Sequence, residues 1–207
     1  MHLCVYILPI SWVTQAHFWG ENTLVSASTD RTIALWDTRT SEKPMMHLTH
    51  HKAPISDLLV GTRSEAFVIS AGGDGVVAAW DLRKLTSNKA QKLSTSRPQV
   101  RIEHCSNYTG YTHLARGRGL YEKSVISTST DGMLKEWDIL SGILREEQPA
   151  GHKDIVSCLT TFDKHENLLR HNKTSSIEKL VTGGSITASW DGTVCLRELV
   201  TTTTLLN

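Results

Sequence analysis

"VSASTDRTIALWDTR", Val25 to Arg39, places a run of small and β-branched residues before a break at Asp30, and six residues beyond that Asp comes Trp36-Asp37. Val, Ser and Thr before the break favour a pleated surface, Asp marks a turn, and "TIALW" resumes as strand, so the stretch is a β-hairpin ending in Trp-Asp. The same order of parts returns twice. "VISAGGDGVVAAWDLR" runs from Val68 to Arg83 and "VISTSTDGMLKEWDIL" from Val125 to Leu140, with Asp74 to Trp80 and Asp131 to Trp137 again six apart. Self-similarity at a fixed internal spacing marks a repeat architecture.

A fourth copy is out of phase with its own Trp-Asp. In "ITASWDGTVCLRELV" the pair Asp191-Gly192 stands where Asp74-Gly75 and Asp131-Gly132 stand, so Trp190 falls before the turn and Arg197-Glu198 take the place of Trp-Asp. Asp-Gly is a strong hairpin signal because both residues tolerate positive φ. Upstream of the hairpins lie further extended runs. "PISWV" at Pro9 to Val13 shares three letters with "PISDLLV" at Pro54 to Val60, and the fourth copy has "DIVSCLTTF" at Asp154 to Phe162. A further run such as "KPMMHL" follows Trp-Asp, giving about four strands per unit.

These residues resemble the WD-repeat family of β-propellers, and the resemblance covers nearly the whole chain. It implies an all-β fold of four-stranded antiparallel blades. About four blades are expected in one domain over 1–207: blade 1 near 8–50, blade 2 near 51–98, blade 3 near 99–149 and blade 4 near 150–207. The family sets Gly-His ahead of the first strand, matched by "GHKDIV" at Gly151 to Val156, by His51 without the Gly, and less closely by His104; the first unit has none. In the family that His, a Ser or Thr before the turn, the turn Asp and the Trp form a buried hydrogen-bonded chain. Carried over, the complete set is His51, Ser70, Asp74 and Trp80. His104, Ser127, Asp131 and Trp137 make a second; Ser26, Asp30 and Trp36 lack a His; His152 and Asp191 belong to the fourth copy.

Ser, His and Asp together also spell a hydrolase triad. A catalytic site occurs once, however, whereas this set recurs with the repeat, and no GxSxG, HExxH or phosphate loop is present. A structural network and a non-enzymatic protein are therefore expected. His152, Cys158, His165 and His171 lack zinc-finger spacing, with His165 and His171 in a polar insert, so no metal and no cofactor is expected.

The bulk composition agrees. A chain of 207 residues buries roughly two thirds to three quarters of its unfolded surface, and a net charge of +1 gives no whole-molecule attraction to nucleic acid or anionic membrane. Cys4, Cys105, Cys158 and Cys195 form no CxxC pair, which suits reduced thiols inside the cell, cytoplasmic or nuclear. The apolar start "MHLCVYILPISWV" has no basic residue before its apolar run and is too short to span a bilayer, so it is expected to be strand.

Propeller blades display loops and a rim to other proteins, and a protein-protein interaction scaffold with no small-molecule substrate is the expected function. Two features narrow it. Trp-Asp-x-Arg occurs in neighbouring units, at Arg39 and Arg83. It looks like the motif by which many substrate receptors of cullin-4-type ubiquitin ligases dock on the ligase's adaptor, and it also occurs in histone chaperones and peroxisomal import receptors of this fold. The alternative is a strand-end Arg paired with its neighbouring Asp. Second, the connector Lys84 to Lys123 carries eight basic residues (Lys84, Lys89, Lys92, Arg97, Arg101, Arg116, Arg118, Lys123) against Glu103 and Glu122. It is either a solvated connector or a binder of anionic lipid or nucleic-acid backbone.

The turn Asp residues are 44, 57 and 60 apart, which leaves about four blades where the family's rings have seven or eight. An open or incomplete ring is expected, with uncovered blade faces and strand edges. Three accounts fit: a piece or isoform of a longer propeller, which is the first expectation; completion by a second copy or a partner; or a free-standing four-blade arc.

Overall fold

The computed structural model of the chain describes residues 11–40, 44–61, 65–83, 98, 100–103, 112–116, 124–163 and 177–204. Its strands form four antiparallel sheets. Sheet 1 is β1 (Val13–Phe18), β2 (Thr23–Ser28), β3 (Thr32–Asp37) and β4 (Met46–Thr49). Sheet 2 is β5 (Ile55–Val60), β6 (Phe67–Gly72), β7 (Val76–Asp81) and β8 (Val100–Glu103). Sheet 3 is β9 (Thr112–Arg116), β10 (Ser124–Ser129), β11 (Met133–Asp138) and β12 (Leu144–Pro149). Sheet 4 is β13 (Val156–Asp163), β14 (Ile177–Ser189) and β15 (Val194–Thr204). Within each sheet the strands lie in chain order, and consecutive sheets pack through their first strands. Among the described residues the fourth sheet does not close onto the first, so the blades form an open arc. No helix among them is long and apolar enough to cross a membrane.

Alternation along the strands explains the stacking. Side chains of a strand point by turns to opposite faces. In sheet 2, Val68, Val76, Ala78 and Trp80 share a core with Val25, Ala27, Ile33 and Leu35 of sheet 1. Their neighbours Ile69, Ala71, Val77 and Ala79 share another with Leu114, Val125 and Trp137 of sheet 3. Ile126 and Leu134 of sheet 3 then meet Val156 and Leu159 of sheet 4. Each inner sheet thus has a leading face, which carries the Trp and meets the preceding sheet, and a trailing face, which meets the following one.

The central hairpins share one turn. In each, an amide donates to the carbonyl three residues back: Arg31 to Ser28, Gly75 to Gly72, Gly132 to Ser129 and Gly192 to Ser189. The turn Asp side chain accepts the amide two residues on, from Thr32 at 2.9 Å, Val76 at 3.2 Å, Met133 at 3.0 Å and Thr193 at 2.8 Å. Only the residue after the Asp is left-handed, with φ of 72°, 71° and 80° at Gly75, Gly132 and Gly192. Unit one places Arg31 there, at φ 76°.

Three expectations change. Sheet 4 has three strands among the described residues, not four, because no strand pairs with the outer edge of β15. Sheet 2 extends past residue 98: β8 pairs with β7 from Ala79↔Val100 to Val76↔Glu103, and Ile102 fills the core toward sheet 3. Finally, the letters "PIS" at Pro9 and Pro54 are not equivalent. Val13 pairs with Ser28 as Ile55 pairs with Gly72, so Val13 occupies the place of Ile55 and the shared letters are three residues out of phase. Register follows pairing with the adjacent hairpin, which a short letter match does not report. The expected strand at the N-terminus lies outside the described residues up to Ile10.

Arg31 supplies a test of the turn. A side chain in the left-handed region costs ~1 kcal/mol or more relative to Gly, so Arg31→Gly is expected to raise unfolding stability by about that amount. Chemical denaturation of the two proteins checks it, and a loss of stability would contradict the turn assignment.

Candidate functional site

Sheet 2 contains the full side-chain chain. His51 Nε2 lies 2.8 Å from Ser70 Oγ, and His51 Nδ1 lies 3.0 Å from Asp74 Oδ1. A carboxylate accepts only, so Nδ1 carries the proton and Ser70 O–H donates to Nε2. Ser70 Oγ in turn accepts Trp80 Nε1–H at 3.2 Å. Asp74 also accepts the Lys52 amide at 2.8 Å, which fixes the strand entering the blade. Burial pushes the Asp74 carboxyl up, but the bonds from His51 and from the Lys52 and Val76 amides outweigh it and hold the carboxyl below its ordinary value. Ser70 is fully buried, with its hydroxyl committed to His51 and Trp80, so no substrate carbonyl reaches it. The arrangement has the members of a hydrolase triad without its access.

The other sheets vary the set. Trp36 Nε1 donates to Ser26 Oγ at 2.9 Å and Trp137 Nε1 to Ser127 Oγ at 2.8 Å, both buried. In sheet 1, whose sequence has no His at the place of His51, Thr32 Oγ1 donates to Asp30 Oδ1 at 2.6 Å. In sheet 3, Asp131 accepts the Met133 amide; His104 lies outside the described residues.

Sheet 4 inserts an extra member. Thr193 Oγ1 donates to Asp191 Oδ1 at 2.6 Å and so accepts from His152 Nδ1 at 2.8 Å, while Thr187 Oγ1 lies 2.8 Å from His152 Nε2. His152 and Asp191 are thereby coupled through Thr193, with Nδ1 3.8 Å from the carboxylate. The bond from Thr193, followed by the Lys153 amide, holds the Asp191 carboxyl well below its ordinary range. Arg197, in the Trp position, donates to the Pro149 carbonyl of sheet 3. Thr187 was legible in the sequence, because it precedes Asp191 by four residues as Ser26, Ser70 and Ser127 precede their own Asp. Thr193 and the inter-sheet role of Asp57, whose Oδ2 accepts the Leu114 amide at 2.9 Å, had no such signal.

The Asp of each Trp-Asp shapes the next turn. Asp37 Oδ1 accepts the Arg39 amide at 3.0 Å, Asp81 Oδ1 the Arg83 amide at 2.9 Å, and Asp138 Oδ1 the Leu140 amide at 3.0 Å. Arg39 folds back in a fork on Asp37, with Nε at 2.9 Å and Nη2 at 2.7 Å, and its side chain remains 69% exposed. That fork and the Arg39 amide hold Asp37 down to about 2. Arg83 donates to the Glu65 carbonyl at 3.1 Å. In sheet 3 the Ser141 amide, with Arg145, holds Asp138 at about 2. Arg101 lies exposed on β8, while Lys84, Lys89, Lys92 and Arg97 lie outside the described residues. So do His165 and His171, and among the described residues no three His, Cys, Asp or Glu side chains gather to hold a metal.

Comparison with known proteins now adds to this geometry. The family model "WD domain, G-beta repeat" matches residues 4–37 and 146–197. Over those two segments the chain carries WD repeats. Among curated relatives, this WD-repeat chain is 23% identical to "Histone acetyltransferase type B subunit 2" of Candida glabrata, over 61% of this chain and 30% of that protein. It is 28% identical to "Ribosome biogenesis protein ytm1" of Aspergillus terreus, over 68% of this chain and 34% of that one. It therefore spans about a third of the length of these relatives. In fold it is similar to the computationally designed Ika4 protein, with a TM-score of 0.59 and 22% identity, covering 91% of this chain and 92% of Ika4. The designed Ika8 protein matches with the same TM-score and identity over 90% of this chain but only 46% of its own.

Two outcomes follow from the network. Trp80→Ala removes a fully buried side chain and its bond to Ser70, and is expected to cost ~3–5 kcal/mol. Trp190, 61% exposed at the turn, is outside the set, and Trp190→Ala is expected to cost less than ~1 kcal/mol; equal losses in denaturant titrations would contradict this distinction. The pH dependence has a fixed sign. Asp74 and Asp191 have depressed folded-state values, so the stability they contribute is present above the ordinary carboxyl range and is lost progressively as pH falls from that range through the depressed values. The thermal midpoint is expected to drop below roughly pH 4, with a shallower decline for Asp74→Asn than for the parent chain.

Proposed function

We propose that the chain is a non-enzymatic protein-interaction scaffold that docks acidic partner surfaces at the ends of β3 and β7. The observation that carries this reading is the repeated Asp turn in two packed, neighbouring sheets, which brings out Arg39 and Arg83 at equivalent positions on exposed residues. A guanidinium offers forked donors that match a carboxylate. Arg39 already demonstrates that pairing with Asp37, and a partner carboxylate would share or replace it. The matched WD repeats support the scaffold class, and relatives named for histone acetylation and ribosome biogenesis suit an intracellular, cytoplasmic or nuclear, setting.

The specific partner we propose is the adaptor of a cullin-type ubiquitin ligase, on the strength of Trp-Asp-x-Arg at Arg39 and Arg83. The purified chain is expected to retain this adaptor in a pull-down, and the double substitution Arg39→Ala with Arg83→Ala to lose it. Lys at both positions should rescue little, since an ammonium lacks the fork. Equal capture of the parent and the double alanine variant, or no capture of either, would remove the adaptor and leave the broader scaffold reading to other partners.

A further inference from the structure

Of the four hairpins that share one turn, three place Gly at its left-handed residue: Gly75, Gly132 and Gly192. Sheet 1 places Arg31 there, at φ 76°, although the backbone bond and the Asp cap of its turn match the others. The turn forms without that side chain. Arg31 is exposed, and among the described residues its guanidinium has neither a hydrogen bond nor an ion pair, whereas Arg39 closes on its own Asp37. A strained conformation that no contact inside the fold compensates points to a task outside the fold.

The surroundings of Arg31 set the chemistry. Thr32 pairs with Thr49, so Arg31 and His50 leave sheet 1 side by side, and the chain crosses from there to sheet 2 through His51 and Lys52. The Lys52 amide is fixed by Asp74 at 2.8 Å, while its ammonium is exposed and has no partner among the described residues. Burial first, then His51, Arg101 of β8 and Lys52, keep His50 below its ordinary value against the pull of Asp74, so cationic groups gather at this crossing. The carboxylates beside it are already committed. Asp30 accepts the Thr32 amide at 2.9 Å and the Thr32 hydroxyl at 2.6 Å; Asp74, its side chain 4% exposed, accepts His51 and the Lys52 and Val76 amides.

We propose that the crossing from sheet 1 to sheet 2 is a docking site for an acidic segment of a partner protein, with Arg31 taking one carboxylate in its fork and Lys52 a second. Phosphate groups fit less well. A nucleic-acid backbone draws its affinity from a run of cations, and a doubly charged phosphoryl group meets Asp30 beside Arg31. Arg31 leaves the opposite end of β3 from Arg39, so this contact goes beyond the adaptor reading and stands independently of Arg39 and Arg83.

Stability and binding are expected to move in opposite directions. The probe is a short, capped, fluorescent peptide alternating Glu and Gly, titrated into the full chain at low salt. Arg31→Gly is expected to weaken its binding ~fivefold or more while raising the thermal midpoint, so misfolding does not account for the loss. Lys52→Gln should weaken it as well. Arg31→Lys, which keeps the strained turn but not the fork, should weaken it without raising the midpoint. The Arg39→Ala and Arg83→Ala pair should leave it unchanged even if adaptor capture fails, and binding should fade between low and physiological salt. The proposal is overturned if the Glu peptide does not bind, if a Gln and Gly peptide binds equally, or if Arg31→Gly binds as the parent chain does. A lowered midpoint in Arg31→Gly would give Arg31 a role inside the fold, and tighter binding of a phosphoserine peptide or a single-stranded oligonucleotide would assign the site to phosphate; either result also overturns it.

Discussion

β7 is apolar at every position from Val76 to Trp80, and because a strand turns alternate side chains to opposite faces, such a strand must be covered twice. A two-layer sandwich covers each sheet once. Stacking sheets side by side covers both faces, and the cores on either side of sheet 2 are its consequence. The unmet form of the same constraint appears at sheet 4, whose trailing face bears Val194 and Leu196 with nothing across from them among the described residues. Sheet 1 is different at its free side: Ser26, Ala34 and Trp36 on its leading face are buried.

Polar groups enter this apolar stack only where they are satisfied. Ser70, fully buried, is satisfied because its hydroxyl donates to His51 and accepts from the Trp80 indole. The variants show which parts of the set are interchangeable. With no His at the place of His51, Thr32 takes up the turn Asp in sheet 1; with His152 Nδ1 3.8 Å from the turn Asp, Thr193 bridges the gap in sheet 4; with no Trp, Arg197 reaches the backbone of the preceding sheet. The constant member is the turn Asp, because the geometry it caps is set by the backbone and is the same in all four hairpins.

The same economy of backbone geometry serves the surface. The Asp after each buried Trp caps a turn whose second residue is carried outward, and what the chain displays there depends on one letter: Arg39, Arg83 or Leu140. Rigid sheets with variable turn residues are what a scaffold needs, since recognition changes by substitution at sites that carry no core packing. Electrostatics at this end is local. Asp37 and Asp138 are each neutralised by donors within a few residues of sequence, so long-range steering contributes little.

The sequence by itself determined the repeat unit, its turn and its buried Trp. These depend on contacts between residues a few positions apart, as Asp74 with Val76 and Ser70 with Trp80, and such contacts leave fixed spacings that a reader can count. Tertiary structure alone decided the register of β1, the assignment of β8 to sheet 2, the Thr193 bridge and the openness of β15. Each of those depends on which distant segment arrives opposite. Three matching letters at Pro9 misplaced β1 because strand register is chosen by hydrogen bonding and burial along the whole hairpin. Val194 and Val77 look alike in sequence; one is buried and the other exposed because exposure is a property of the neighbour across the gap, which no local spacing encodes.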